Sequence, residues 1–173
     1  MPKFSPLLLL GFLCCLLLSC SLPRLFWPQG DIENAEIVPA GAKHRVLVAS
    51  RSSGFKDALV ERIREDLEAE KVSMRFVGVQ KLKYEDPRDF DAVVIINTCI
   101  AWGMDPQVDG FLNKNRDAGN IVVLTTSGDG KWAPDKRGRL FDAVASASEM
   151  ARVDEAAEEI LRKVRELLTV SRG

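Results

Sequence analysis

The chain has 173 residues, 46% of them hydrophobic and 28% charged, with a formal net charge of -1. That composition excludes a disordered tail, a collagen-like polymer and an obligate polycation, and leaves one ordinary globular domain as the default. The near-neutral balance also gives no electrostatic case for a nucleic-acid partner, which needs Lys and Arg gathered on one face.

The average conceals two unlike parts. Lys3 gives a short positive start, Leu7 to Leu18 is apolar and uncharged, and the small or polar Ser19, Cys20 and Ser21 follow at once. A membrane span needs about 20 apolar residues, so this run has the length of an export signal. The context Leu17-Leu18-Ser19-Cys20 resembles a bacterial lipobox, in which the cysteine thiol is diacylated and becomes the new amino terminus after cleavage. The resemblance implies a lipoprotein signal peptide over 1–19, lipidation at Cys20 and anchoring to the lipid bilayer of a bacterial cell envelope. Ser21 resembles the outer-membrane sorting pattern of bacteria with two membranes. A plain secretory signal, or an uncleaved anchor in which Cys14, Cys15 and Cys20 are small apolar residues, is the alternative. On the lipoprotein reading Cys99 alone remains as a thiol, and no intramolecular disulfide is expected.

From Cys20 to Lys43 the sequence scatters Pro23, Pro28, Gly30, Pro39 and Gly41 among Asp31, Glu33 and Glu36, with no strand or helix period. It predicts a flexible tether reaching about 25 Å. Leu25, Phe26 and Trp27 either enter the membrane interface or pack on the domain.

The domain, 44–173, reads as strands alternating with helices. Arg45 to Ala49 is a short apolar strand, followed by a helix with Phe55, Ala58, Leu59, Ile63 and Leu67 on one face. Val72 to Val77 alternates like a half-buried or edge strand, and Asp91 to Asn97 is the β-branched run of a central parallel strand. Val108, Phe111 and Leu112 mark a helix ending near Gly119. Ile121 to Thr125 and Phe141 to Ala147 are two further strands, and a last helix carries Val153, Ala156, Ala157, Ile160, Leu161, Val164, Leu167 and Leu168 on one stripe. This pattern predicts an α/β fold, a doubly wound five-stranded parallel sheet in the order 2-1-3-4-5, with its ligand crevice at the carboxyl ends of the strands. The stretch from Ser127 to Leu140 is short for a helix, so that crossover is expected to be a turn or loop.

Three loops fall at those carboxyl ends. Ser50-Arg51-Ser52-Ser53-Gly54-Phe55-Lys56 brings hydroxyls, a glycine and backbone amides to a helix start, which suits either an anion cradle or simple helix capping. It resembles the hydroxyl-rich phosphate loop of the flavodoxin family, with Ser50, Ser52, Ser53 and Gly54 matching; Phe55 and Lys56 stand where that family has a small polar residue and Thr. Asn97, Thr98, Cys99, Ile100, Ala101, Trp102 and Gly103 are similar to the family's second flavin loop, with Thr98, Trp102 and Gly103 matching. Asn97 replaces a usual Gly, Cys99 a usual Pro, and Ala101 a position often aromatic. Ser127, Gly128, Asp129 and Trp132 resemble the third loop.

The resemblance covers 44–168 and implies a flavodoxin-like three-layer sandwich binding FMN, with Trp102 and Trp132 as walls against the flavin ring. Arg51 and Lys56 add cations where the family uses neutral donors, so they either strengthen phosphate binding or mark another anion. Other chemistries fit less well. The lone His44 sits at the opposite end of the sheet from Cys99, which disfavours a Cys-His pair; one His without CxxC offers no ordinary metal site; and the loop serines lack a His partner. Two functions remain: a membrane-tethered FMN protein passing electrons or hydride to a quinone-like or protein partner, and a non-catalytic envelope lipoprotein whose flavodoxin-like crevice is empty or holds another anion.

Overall fold

The computed structural model describes residues 29–100 and 102–170. The signal segment, Cys20 and the Leu25-Phe26-Trp27 cluster lie outside the described residues, as does Ala101. The compact unit begins at Asp31.

Strands β1 (Ala35–Ile37), β2 (Arg45–Ser50), β3 (Ser73–Gly78), β4 (Ala92–Thr98), β5 (Ile121–Ser127) and β6 (Asp142–Ala147) form one sheet in the order β1-β3-β2-β4-β5-β6. The five strands from β3 to β6 in that order are parallel and keep the expected arrangement, with Val48 opposite Phe76 on one side and Val94 on the other. The sheet is nevertheless six-stranded and mixed. β1 runs antiparallel to β3, pairing Glu36 with Arg75, inside the segment expected to be tether. Three residues are too few to display a period of two, and the strand is held by its partner's unpaired edge and by Ile32 and Ile37 resting on the core.

The pleat divides the core. Val46, Val48, Val94, Ile96, Val122 and Leu124 point to one face, under helices α1 (Gly54–Ala69) and α3 (Val153–Val170). Leu47, Ala49, Val93, Ile95 and Val123 point to the other, under α2 (Pro106–Lys114) and a 3-10 segment over Val79–Tyr84. Burial of each such Val, Leu or Ile contributes about 1.5–3 kcal/mol, so both layers are driven by the same continuous apolar strands.

Helix ends follow local chemistry. Ser53 caps α1 by accepting the Lys56 amide at 3.4 Å. At the far end Val72 and Lys71 donate back to Leu67 and Glu68, both at 2.9 Å, with Lys71 left-handed at φ 57°. Asp105 caps α2 through the Gln107 amide at 2.9 Å, with Pro106 in the first turn. That helix stops at Lys114, short of the expected Gly119, because the Asn115 side chain turns back onto the Phe111 carbonyl at 3.0 Å. The β3–β4 crossover is built from 3-10 turns, and residues 128–141 form a loop, as the spacing predicted.

Candidate functional site

The carboxyl ends of β2, β4 and β5 bring the three loops to one side of the sheet. Each does so by a different local device.

After β2, the hydroxyls are engaged within the loop itself. Ser50 is buried and donates to the Arg51 carbonyl at 2.8 Å, Ser52 donates to the Asp57 carboxylate at 2.9 Å, and Ser53 is the helix cap. Gly54 and Phe55 carry the remaining first-turn amides, and the space over Gly54 is open, since a Cβ there would meet nothing within 4 Å. The Phe55 side chain turns into the core under α1.

The two cations of this loop are tied down. Arg51 donates from Nε to Asp105 Oδ2 at 2.7 Å and from Nη1 to Asp31 Oδ1 at 3.2 Å. Asp31 also accepts the Gln80 amide at 3.0 Å and lies so close to Gly78 that a Cβ there would come within 2.4 Å of it. Lys56 is only 2% exposed and its amine donates to Thr98 Oγ1 at the end of β4. Burial, followed by the nearby Arg51 charge, pushes this amine down to about 8, with Asp105 and Asp57 pulling the other way.

After β4, Asn97 is buried and joins neighbouring elements. Its Nδ2 donates to Thr125 Oγ1 at 3.2 Å, its Oδ1 accepts the Asp105 amide at 2.9 Å, and its carbonyl accepts from Thr126 Oγ1. The Cys99 amide donates to the Thr126 carbonyl at 2.9 Å. Ile100 and Gly103 exchange both backbone bonds, closing a tight turn that holds Trp102 at φ 60°, with the residue 80% exposed. A bulky residue in the left-handed region is strained by about 1–3 kcal/mol.

After β5, the Ser127 hydroxyl donates to Asp129 Oδ1 at 2.9 Å, and the Lys131 amide donates to the same oxygen at 3.1 Å. These bonds, the Lys131 amide first, hold the Asp129 carboxyl below its ordinary range. Gly130, at φ 68°, lets the loop lie against β6, where a Cβ would come within 2.6 Å of the Ala147 nitrogen.

The second and third loops share a cavity of about 470 Å³, lined by Trp102, Gly103, Met104, Trp132, Pro134 and Arg139 among others. The two tryptophans expected to be walls therefore do face one space. Arg139, 3% exposed, donates to Asp109 Oδ1 at 2.6 Å and to the Asp135 and Lys136 carbonyls, fixing the floor of that loop. Asp31, Asp105 and Arg139 are not among the residues that the sequence singles out for the site. Asp105-Pro106 is a helix-start signature that marks one of them to be found by inspection, whereas the other two show no local signal.

His44 lies at the opposite, amino end of β2, with Nδ1 3.4 Å from Asp91 Oδ2. Among the described residues no group of three or more His, Cys, Asp or Glu is placed to hold a metal ion.

No family model matches the sequence, and no curated protein does. Solved structures do resemble it. A flavodoxin from the domain Archaea superposes with TM-score 0.51 at 13% identity, over 71% of this chain and 98% of that one. A mutant flavo di-iron protein from Thermotoga maritima gives TM-score 0.53 at 16% identity, over 72% of this chain and 36% of that one. The flavodiiron protein from Giardia intestinalis gives 0.50 at 12%, over the same shares. The chain thus spans about a third of the flavo di-iron proteins' length and nearly all of the flavodoxin's. At these identities the likeness is one of fold: the protein is an α/β flavodoxin-like sandwich.

Proposed function

We propose that the protein is a membrane-tethered flavodoxin-like carrier that binds FMN in the three loops and passes electrons or hydride to a quinone-like or protein partner at the envelope. The observation that carries this reading is the cavity between Trp102 and Trp132. Its volume falls in the roughly 300–1,000 Å³ range of small-molecule sites, and two aromatic faces suit a flat apolar ring. Open space over Gly54, beside the first-turn amides of α1, suits a phosphate. These two features support the flavin reading.

FMN, when bound, supplies the redox chemistry, accepting and releasing one or two electrons. The chain's own groups hold and shape the site. Trp102 and Trp132 would flank the ring, Arg139 stiffens the loop beneath them, and the Arg51 link from Asp31 to Asp105 ties the first loop to the second. Full-length protein purified after addition of FMN is expected to show flavin absorbance and to quench FMN fluorescence at micromolar concentration. Absence of both would refute the flavin reading and leave a non-catalytic binding module on the same fold.

A further inference from the structure

The chain enters the domain at the crevice end of the sheet. Asp31 bridges to Arg51 and accepts the Gln80 amide at 3.0 Å, and the Ile32 amide donates to the Ser50 carbonyl. From there β1 runs antiparallel to β3 along the sheet edge, and only near His44 does the chain reach the amino end and turn into β2. A tether ending at Lys43 would have aimed the crevice away from whatever holds the chain, and the observed entry aims it the opposite way. Beside the entry lies a cavity of about 250 Å³ lined by Arg51, Gln80, Lys81, Lys83, Tyr84 and Gln107. Arg51 is held by Asp31 and Asp105. Lys81 and Lys83 are exposed, and their ammonium groups lie 5.8 and 4.8 Å from the centre of the Tyr84 ring, a residue 71% exposed. The adjoining Glu85 and Asp86 are bridged to Arg75 and Arg88, and among the described residues no carboxylate pairs with either lysine.

We propose that this face docks on an anionic lipid bilayer, with Lys81 and Lys83 against the headgroups and Tyr84 in the interface, so that the crevice opens at the membrane surface. The assignment rests on the membrane-tethered reading above and names the face that the tether presents. Two cations on an exposed aromatic ring match a surface that is negatively charged outside and apolar just beneath, and long amphipathic side chains suit that boundary. The tether favours the same orientation. Asp31 follows Cys20 by 11 positions, a length that reaches about 18 Å as a flexible coil and about 38 Å when drawn straight. A compact unit of this size has a radius of gyration of about 14 Å, hence a diameter of about 37 Å. Turning the amino end to the bilayer would therefore stretch the tether almost straight, whereas the crevice end is within its relaxed reach. Each lysine near an anionic surface then strengthens the seated orientation about fivefold.

The test is lysine acetylation of the full chain, purified from membranes and added to preformed vesicles, with rates read site by site by mass spectrometry. One set of vesicles is phosphatidylcholine, and the other is phosphatidylcholine with about one-quarter phosphatidylglycerol. Lys43 and Lys71, exposed at the opposite end of the sheet, serve as internal standards. On the anionic vesicles Lys81 and Lys83 are expected to react at least about fivefold more slowly than on the neutral ones, with Lys43 and Lys71 unchanged. Lys81→Glu is expected to restore most of the Lys83 rate, and Lys83→Glu most of the Lys81 rate. In protein that floats with the vesicles, equal Lys81 and Lys83 rates on both kinds, protection of Lys43 and Lys71 instead, or protection that survives both substitutions would overturn the docking face and leave the anchor standing. Protein that floats with neither vesicle would overturn the anchor as well. Protection already present without vesicles and growing with protein concentration would give the face to a second copy of the chain and overturn the proposal. Should a variant not fold, the wild-type comparison of two vesicles and four lysines decides alone.

Discussion

Lys56 is a residue that folding alone would replace. In the unfolded chain its amine titrates near the ordinary 10.5, and in the folded crevice near 8. For a base whose folded value is depressed, the unfolded state binds more protons between those two limits, so its contribution raises stability as pH climbs from about 8 to 10.5. Below that window the penalty is present in full. Lys56→Met keeps an unbranched side chain of suitable length and removes the charge, so the variant is expected to be more stable than wild type by roughly 2–3 kcal/mol at pH 7. The gain should shrink above pH 8 and vanish near 10.5. Urea unfolding at pH 7 and pH 10 checks this, and equal stability at pH 7, or a gain that persists undiminished at pH 10, would show that the amine is not held at a penalty. The same residue marks the reach of sequence reading. The sequence offers Lys56 as a cation of the first loop and gives no sign that its amine is enclosed. Its hydrogen-bond partner Thr98 is 42 residues away, and the Arg51 carboxylate partner Asp105 is 54 residues from that arginine. Local periodicity carries no information about either.

At the scale of elements the legible features were those with a repeating physical signal. The β-branched run of β4 and the apolar stripe of α3 state their own burial, and the loop chemistry placed Trp102 and Trp132 at one crevice because both follow strands whose carboxyl ends are neighbours. β1 carried no such signal. Ala35, Glu36 and Ile37 become a strand only because β3 offers an unpaired edge, and Asp31 gains its place only because Gly78 has no side chain and Arg51 supplies a charge. This assigns the segment from Asp31 to Lys43 to the domain. A chain beginning at His44 loses the Asp31 bonds to Arg51 and to the Gln80 amide, and it leaves β3 as an open edge. Hydrogen bonds to charged groups contribute about 1.5–3 kcal/mol each. The shorter chain is therefore expected to be less stable than one beginning at Gln29 by at least about 2 kcal/mol, and more prone to edge-to-edge association. Urea midpoints of the two chains decide it; coincident midpoints would return residues 31–43 to the role of a dispensable tether.

For the whole molecule, the near-neutral charge bears on how partners are met. A soluble electron shuttle gains its encounter rate from a strongly charged surface, and a formal net charge of -1 gives little steering. Confinement to a membrane achieves the same end differently, by raising the effective concentration of partners held on that surface. Among the described residues no helix is long and apolar enough to cross a membrane. On the proposed reading, attachment comes from acyl chains on Cys20, each buried CH₂ contributing about 0.8 kcal/mol, with two or more chains giving a stable anchor where one gives a marginal one. Cys20→Ala removes the thiol that receives them and leaves the sequence of the three crevice loops unchanged. The variant is expected to leave the membrane fraction for the soluble one while its affinity for FMN stays that of wild type. Unchanged membrane fractionation would count against lipidation, and release accompanied by lost flavin binding would mean that the site depends on the anchor, contrary to a crevice built from the sheet's own carboxyl-end loops.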